Sequence, residues 1–405
     1  MIGERMMNLG PALIRRSERY ATAAKKSVVR GLYHLPILSS SDPSKKVVTL
    51  KDCTEFREQF PPNANDNQID WRITVRPQEK LSRKSSISLD AAEARRFDEG
   101  TARFQGGYEQ TLPEVSVACF HQASLFSPSL LLLNRSQSIV FESALSKQEV
   151  LEQSGILTTL FRGTPEAVPG DACLLASPWS SSFYYHWLID ALPRLEIIEK
   201  FSQLESVPLV VCKELRSFHR DTLRLAGVNE HRLHRFNERF SRFDRLYFPD
   251  VPSPTGNISP HAVEWLRSRF LKSEPGSGDR LIYISRKDAM KRKLLNEDEI
   301  IGFLQQKGFE IVCPGTLPFS EQVEMFRRAR VVIGPHGAGF TNMAFAPRDA
   351  TMIEFFGDNY INGCFWTLAN VLGQRHAFVS APTETLNFSI PVNRCAEILE
   401  KACNL

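Results

Sequence analysis

From about residue 170 onward, short apolar runs alternate with longer stretches in which apolar residues recur at helical spacing. The first series reads as strand Asp171 to Ala176, helix Phe183 to Phe201, strand Val207 to Cys212, helix Ser217 to Ala226 and strand Arg242 to Phe248. Ser273 to Asp279, rich in Gly, Ser and Pro, then reads as a linker. A second series follows, with strands at Leu281 to Ser285, Glu310 to Cys313, Val331 to Gly334, Thr351 to Phe355 and His376 to Ser380. Its helices are predicted from Asn296, over Ser320 to Arg330, from Gly339, over Phe365 to Leu372 and over Asn393 to Cys403. Asn296 with Glu299 three residues on carries the pattern of a capping box. Two such series predict an α/β protein with two parallel, doubly wound sheets. Ligands of such sheets bind at the carboxyl ends of the strands, so the predicted site is a cleft between two lobes.

The remainder of the chain is less regular. Residues 1–60 are expected to form a basic N-terminal extension, and 61–169 a partly looped region contributing to the acceptor lobe. The two Rossmann-like lobes are expected at 170–272 and 280–405. Pro61 to Ser88 reads as mostly loop, and strand-like residues appear at Glu114 to Cys119 and Leu130 to Phe141. No run approaches the roughly 18 apolar residues of a membrane-spanning helix, and no secretory signal is apparent. A cytoplasmic protein is the expectation.

Charge matters once it is divided. The 405 residues hold 50 Lys and Arg against 46 Asp and Glu, a net +4. Residues 1–36 carry seven basic and two acidic side chains, so the rest of the chain is close to neutral. That disfavours a nucleic-acid binder, whose positive charge covers a folded face. The leader is either a solvated extension or a peripheral contact for anionic lipid at the inner face of the membrane. Eight scattered cysteines form no C-x-x-C pair and no zinc-ligand spacing, and read as small buried apolar residues.

Three segments could carry chemistry. Gly334-Pro-His-Gly-Ala-Gly339 follows an apolar strand and opens a helix, a place suited to an anion. Its spacing is neither the dinucleotide fingerprint nor a P-loop, and glycines serving only packing are the plainer alternative. His186 and Asp190 share one helix face, where a carboxylate can fix the imidazole tautomer and leave the other nitrogen as a base. A histidine merely packed against Tyr185 or Trp187 is the alternative there. Arg286 and Arg292 follow the first strand of the second series and suit a diphosphate, unless the loop is simply a solvated basic one. Glu354 ends a strand, where a carboxylate can accept from ribose hydroxyls. No D-x-D occurs, so no metal-bridging carboxylate pair is expected.

Together, Tyr185-His-Trp-Leu-Ile-Asp190, Ile284-Ser-Arg286 with Arg292 and Leu294-Leu-Asn-Glu-Asp-Glu299, and Gly334-Pro-His-Gly-Ala-Gly339 with Ile353-Glu354 resemble glycosyltransferase family 61. The resemblance spans about residues 170–380 and departs at Phe183, where family members commonly carry Asn. It implies a GT-B-like fold and an inverting transferase that uses a nucleotide sugar, often a UDP-sugar, with a glycan acceptor, free or lipid-linked. A bacterial enzyme of capsular or surface polysaccharide synthesis is the corresponding expectation. His186 backed by Asp190 is then the expected base. Arg286, Arg292, His336, Gly337, Ala338 and Gly339 hold the diphosphate, Thr341 and Asn342 add donor contacts, and Glu354 meets the ribose. No cofactor or obligatory metal is expected beyond the nucleotide-sugar co-substrate. A nucleotide-sugar epimerase and a non-catalytic nucleotide or sugar binding module are the competing readings.

Overall fold

The computed structural model describes residues 47–48, 70–126, 130–136, 139–143, 164–236, 240–289, 291–383 and 387–405. The basic leader at 1–36 lies outside the described residues. The chain divides into two units. One comprises residues 1–72, 119–171 and 238–246, the other 73–118, 172–237 and 247–405.

In the first unit, Ser124 to Phe126 pair antiparallel with Leu131 to Leu133, and Phe120, Leu125 and Leu132 are fully buried. Polar anchors fix its backbone. The His121 amide donates to Asp70 at 2.7 Å, and Arg245 grips Asp171 through two bonds of 2.6 and 2.7 Å.

The second unit carries the second strand–helix series and most of the first, whose strands belong to a mixed sheet and not to the wholly parallel one expected. In the first series, Cys173 and Leu174 pair parallel with Leu209 and Val210, and Leu209–Cys212 pairs parallel with Leu233–Phe236. The second forms a five-stranded, wholly parallel sheet: β1 Arg280–Ile284, β2 Glu310–Val312, β3 Ala329–Pro335, β4 Thr351–Gly357 and β5 Arg375–Ala381. Its order is 2-1-3-4-5. Every residue of β4 is buried, the signature of a strand covered on both faces. One face packs Tyr283, Ile333, Ile353 and Val379 against Ile300, Leu304, Ile398 and Leu399 from two helices. The order reverses direction between β1 and β3, and the crevice outside their carboxyl ends is the natural ligand site of such a sheet.

Several elements differ from the sequence reading. The stretch expected to be mostly loop contains strands Trp71–Arg76 and Glu79–Ser82. Ala91–Gln105 is a helix that the apolar pattern missed because few of its positions are apolar. Its Asp90 caps the amides of Ala92 and Glu93 at 2.9 Å, and its fully buried Glu93 accepts from the Ser380 amide at 2.7 Å. The capping box expected at Asn296 is not formed. That side chain instead exchanges two bonds with the Ile390 backbone, at 2.9 and 3.1 Å. Pro260–Phe270 is a further helix the sequence reading passed over.

Two corrections bear on the site. The single helix expected over Phe183 to Phe201 is a π-helical turn, His186–Ala191, followed by a short α-helix, Arg194–Ile198, with Pro193 between them. The helix expected from Gly339 is a 3₁₀ helix, Ala338–Phe345.

Candidate active site

The π turn places His186 and Asp190 together. Such turns are rare and concentrate at functional sites. The His186 Nδ1 lies 2.7 Å from Asp190 Oδ2, and Thr255 donates to the same oxygen at 2.9 Å. Asp190 is almost wholly buried, whereas 18% of the His186 side chain stays exposed. Both hydrogen-bond contacts of the imidazole are at Nδ1, and Nε2 has no partner among the described residues. The carboxylate thus fixes the tautomer and can stabilise an imidazolium, the arrangement of a general base.

The turn is held from below. Buried Arg194 donates to the Ala176 carbonyl at 2.6 Å, its guanidinium rests 5.3 Å over the Phe248 ring, and burial pulls it down to about 10. Trp187 donates to Thr222 at 2.8 Å. Neighbouring His219 is structural, bound through both nitrogens to backbone and lowered by burial to about 4.

On the other side, Arg286 follows β1, and Gly337, Ala338 and Gly339 follow β3. They meet at the switch point and line a cavity of about 500 Å³. Ser182, Phe183, Tyr184, Ser217, Phe218 and Asp221 line it from the first series. A Cβ at Gly337 would overlap the Arg286 guanidinium, so a side chain here would require the arginine to move aside. The expected close approach of backbone to ligand is thus, at Gly337, an approach of backbone to arginine. The backbone around Arg286 is fixed by buried Glu297, which accepts from Ser285 Oγ at 2.8 Å and the Arg286 amide at 3.0 Å. Among the described residues no carboxylate pairs with Arg286, whose one side-chain bond is to the Lys291 carbonyl at 3.3 Å. Arg292 sits 4.8 Å over the Tyr360 ring, likewise without an ion pair among the described residues. Burial, and then the charge of Arg292, lowers Arg286. Two neighbouring unpaired guanidinium groups form a site prepared for an anion.

His336 belongs to a buried relay across three strands. Its Nδ1 meets Glu354 Oε1 at 2.7 Å, Glu354 Oε2 meets His376 Nε2 at 2.9 Å, and His376 Nδ1 meets Ser86 Oγ at 2.7 Å. Burial pushes Glu354 well above the usual carboxyl range and both imidazoles below theirs, His376 to about 3. Arg292 and Arg286 lower His336 further.

This corrects the role expected of Glu354. It is fully buried and both its oxygens are engaged, so no face remains for a ribose hydroxyl. Asn342 is also fully buried. It accepts from the Tyr184 hydroxyl at 2.7 Å and donates to Gln322 at 2.8 Å, so it joins the two series and is not a donor contact. Thr341 is completely buried as well, with no exposed surface for the donor contact expected of it. The structure therefore gathers Arg286, Gly337, Ala338 and Gly339 at the cavity, with Arg292 and His336 beside them. It sets Thr341, Asn342 and Glu354 behind the wall. Asp221 and Glu297 were missed: one lines the cavity without a sequence motif, and the other lay inside a recognised segment without an assigned role. Among the described residues, no three His, Cys, Asp or Glu side chains gather as a metal site. No helix among them is long and apolar enough to cross a membrane.

Residues 184–353 match the family model Glycosyltransferase 61. The chain is 34% identical over 100 residues to the EGF domain-specific O-linked N-acetylglucosamine transferase of Drosophila melanogaster, covering 24% of this chain and 19% of that protein. It is 32% identical over 116 residues to a β-1,2-xylosyltransferase of Oryza sativa subsp. japonica, covering 28% and 20%. To an α-1,3-arabinosyltransferase of the same plant it is 39% identical over 79 residues, covering 18% and 13%. The matched stretches thus span a fifth or less of these relatives.

Proposed function

We propose that this protein is a glycosyltransferase that moves a sugar from a UDP-sugar to a hydroxyl of a glycan acceptor, with inversion. The observation that carries the reading is the pair of unpaired arginines, Arg286 and Arg292, at the switch point of a parallel sheet beside a cavity of nucleotide size. In the proposed step, His186 Nε2 takes the acceptor's hydroxyl proton while that oxygen attacks the anomeric carbon. The bond from that carbon to the diphosphate oxygen breaks, and UDP leaves with the electron pair. Arg286, Arg292 and the Ala338–Gly339 backbone stabilise the charge that builds on it. Residues 170–272 then serve the acceptor and 280–405 the donor, in the manner of a GT-B enzyme.

The proposal includes metal independence, supported by the lack of any D-x-D and by the arginines that stand where charge must be met. A cytoplasmic role in surface polysaccharide synthesis is its outermost part and rests on the family resemblance. The test is a thermal-shift panel with UDP, GDP, CDP, ADP and NAD⁺, each with and without EDTA. A ligand at 100 times its dissociation constant adds about 2.7 kcal/mol. A shift selective for UDP and unaffected by EDTA is expected. A shift with NAD⁺ alone overturns the reading. Turnover of UDP-sugar without UDP release would indicate an epimerase instead.

A further inference from the structure

Five large apolar side chains are exposed among the described residues, and two of them flank a single imidazole. Trp179 is 40% exposed and lies edge-on to His186, its centroid 5.0 Å away. Phe183 is 54% exposed and lies 6.0 Å from the same ring. The third neighbour, Tyr185 at 5.2 Å, is buried and belongs to the core. Trp179 also has φ +65°, a left-handed conformation in which a bulky side chain is an outlier and glycine is at ease. A strained backbone carrying a half-exposed indole is not explained by burial. Strain of this kind gathers where a side chain must be presented.

The surroundings narrow what the rings are presented to. Between them in sequence stand Ser181 and Ser182, both exposed, so hydroxyls lie beside the two apolar rings. Phe183 also lines the 500 Å³ cavity, which makes the patch continuous with the proposed donor site. His186 Nε2, which has no hydrogen-bond partner among the described residues, lies on the ring the two aromatics flank. A pyranose matches this surface: one face is C–H bonds, which are drawn to the negative face of an aromatic ring, and the rim is hydroxyls.

We propose that Trp179 and Phe183 form a platform for the acceptor sugar, with the C–H face of a pyranose on the rings and a rim hydroxyl at Nε2 of His186. The assignment rests on the transferase reading and adds the acceptor subsite to it. A flat purine or pyrimidine would use the rings but offers no hydroxyl to His186. An apolar chain would cover the imidazole without offering Nε2 a hydrogen bond.

The test is saturation-transfer NMR with methyl β-D-glucopyranoside and methyl β-D-xylopyranoside on the full chain, Trp179→Gly and Phe183→Ala. Trp179→Gly suits the backbone conformation, so its melting temperature should match or exceed that of the parent protein. We expect transfer to the axial C–H protons of at least one glycoside, reduced at least fivefold in both variants. The UDP-induced thermal shift should be unchanged in Trp179→Gly. Equal transfer in a folded Trp179→Gly protein, or none in the parent protein, overturns the platform. Trp179-dependent glycoside binding without any UDP shift leaves the platform standing and overturns the transferase reading instead.

Discussion

His186 and His336 each turn Nδ1 to a carboxylate oxygen 2.7 Å away, yet they are built for different work. The His186–Asp190 pair sits on a π turn at a rim, supported by one threonine hydroxyl, with 18% of the imidazole side chain exposed. The His336–Glu354 pair sits inside a parallel sheet. There the carboxylate is bound on both oxygens, the chain continues to His376 and Ser86, and 8% of the His336 side chain is exposed. Access, and not the identity of the paired residues, separates a group that can exchange a proton with substrate from one held as a fixed wall. A sequence motif reports the pair in both cases and the access in neither.

The largest effect that would sharpen this contrast is at the rim. His186→Ala should lower turnover by about 10²–10⁴, the usual contribution of a general base, while the UDP thermal shift is retained. Activity within about tenfold of the parent protein would remove His186 from that role.

The buried imidazoles should speak instead through stability in acid. His219, His376 and His336 are held below the ordinary imidazole value near 6.5, so the unfolded chain binds more protons than the folded one below that pH. Glu354, held above its ordinary value, acts in the opposite sense and offsets one of the three above about pH 4.5. Stability should therefore fall as pH drops from about 6.5 toward 4, by on the order of 3 kcal/mol for His219 alone. Urea unfolding at pH 7 and pH 4.5 measures it, and a flat profile would mean that these imidazoles are not held neutral.

Arg286→Ala should weaken UDP binding by about 1.5–3 kcal/mol, the worth of a hydrogen bond to a charged group. Gly337→Ala should reproduce much of that loss, because its methyl takes the place of the guanidinium. Calorimetric titration of both variants tests whether the glycine serves the arginine. The smallest effect should come from Thr255→Val, which removes one donor from Asp190 and should lower turnover less than tenfold, or about 1 kcal/mol. A loss as large as that of His186→Ala would show that the hydroxyl does more than steady the carboxylate.

Where burial and alternation coincide, the fold was legible. All five strands of the parallel sheet were marked by continuous apolar runs bounded by polar turns. The Ala91–Gln105 helix was not, because its core contacts are made by Phe97 together with polar Glu93, Thr101 and Gln105. A usable signal did exist in Asp90 followed by Glu93, an N-cap with an acidic residue three positions later. Among site residues, Arg286, Gly337 and the His186–Asp190 spacing could be read from order along the chain. Depth could not. Asn342 stands three residues beyond the cavity-lining Gly339, and only the packing of Tyr184 and Gln322 around it, and of His336 and His376 around Glu354, shows that both face inward.

One of those inward contacts bears on how the protein could be studied. The Tyr184–Asn342–Gln322 chain fastens the turn before His186 to the 3₁₀ helix after β3 and to the helix Phe319–Phe326. Each bond in that chain contributes about 0.5–1.5 kcal/mol against separation of the cavity's two walls, which favours the open cavity seen here. Crystals grown without ligand should accordingly tolerate soaking with UDP without cracking and diffract as before, with the nucleotide entering through the existing mouth.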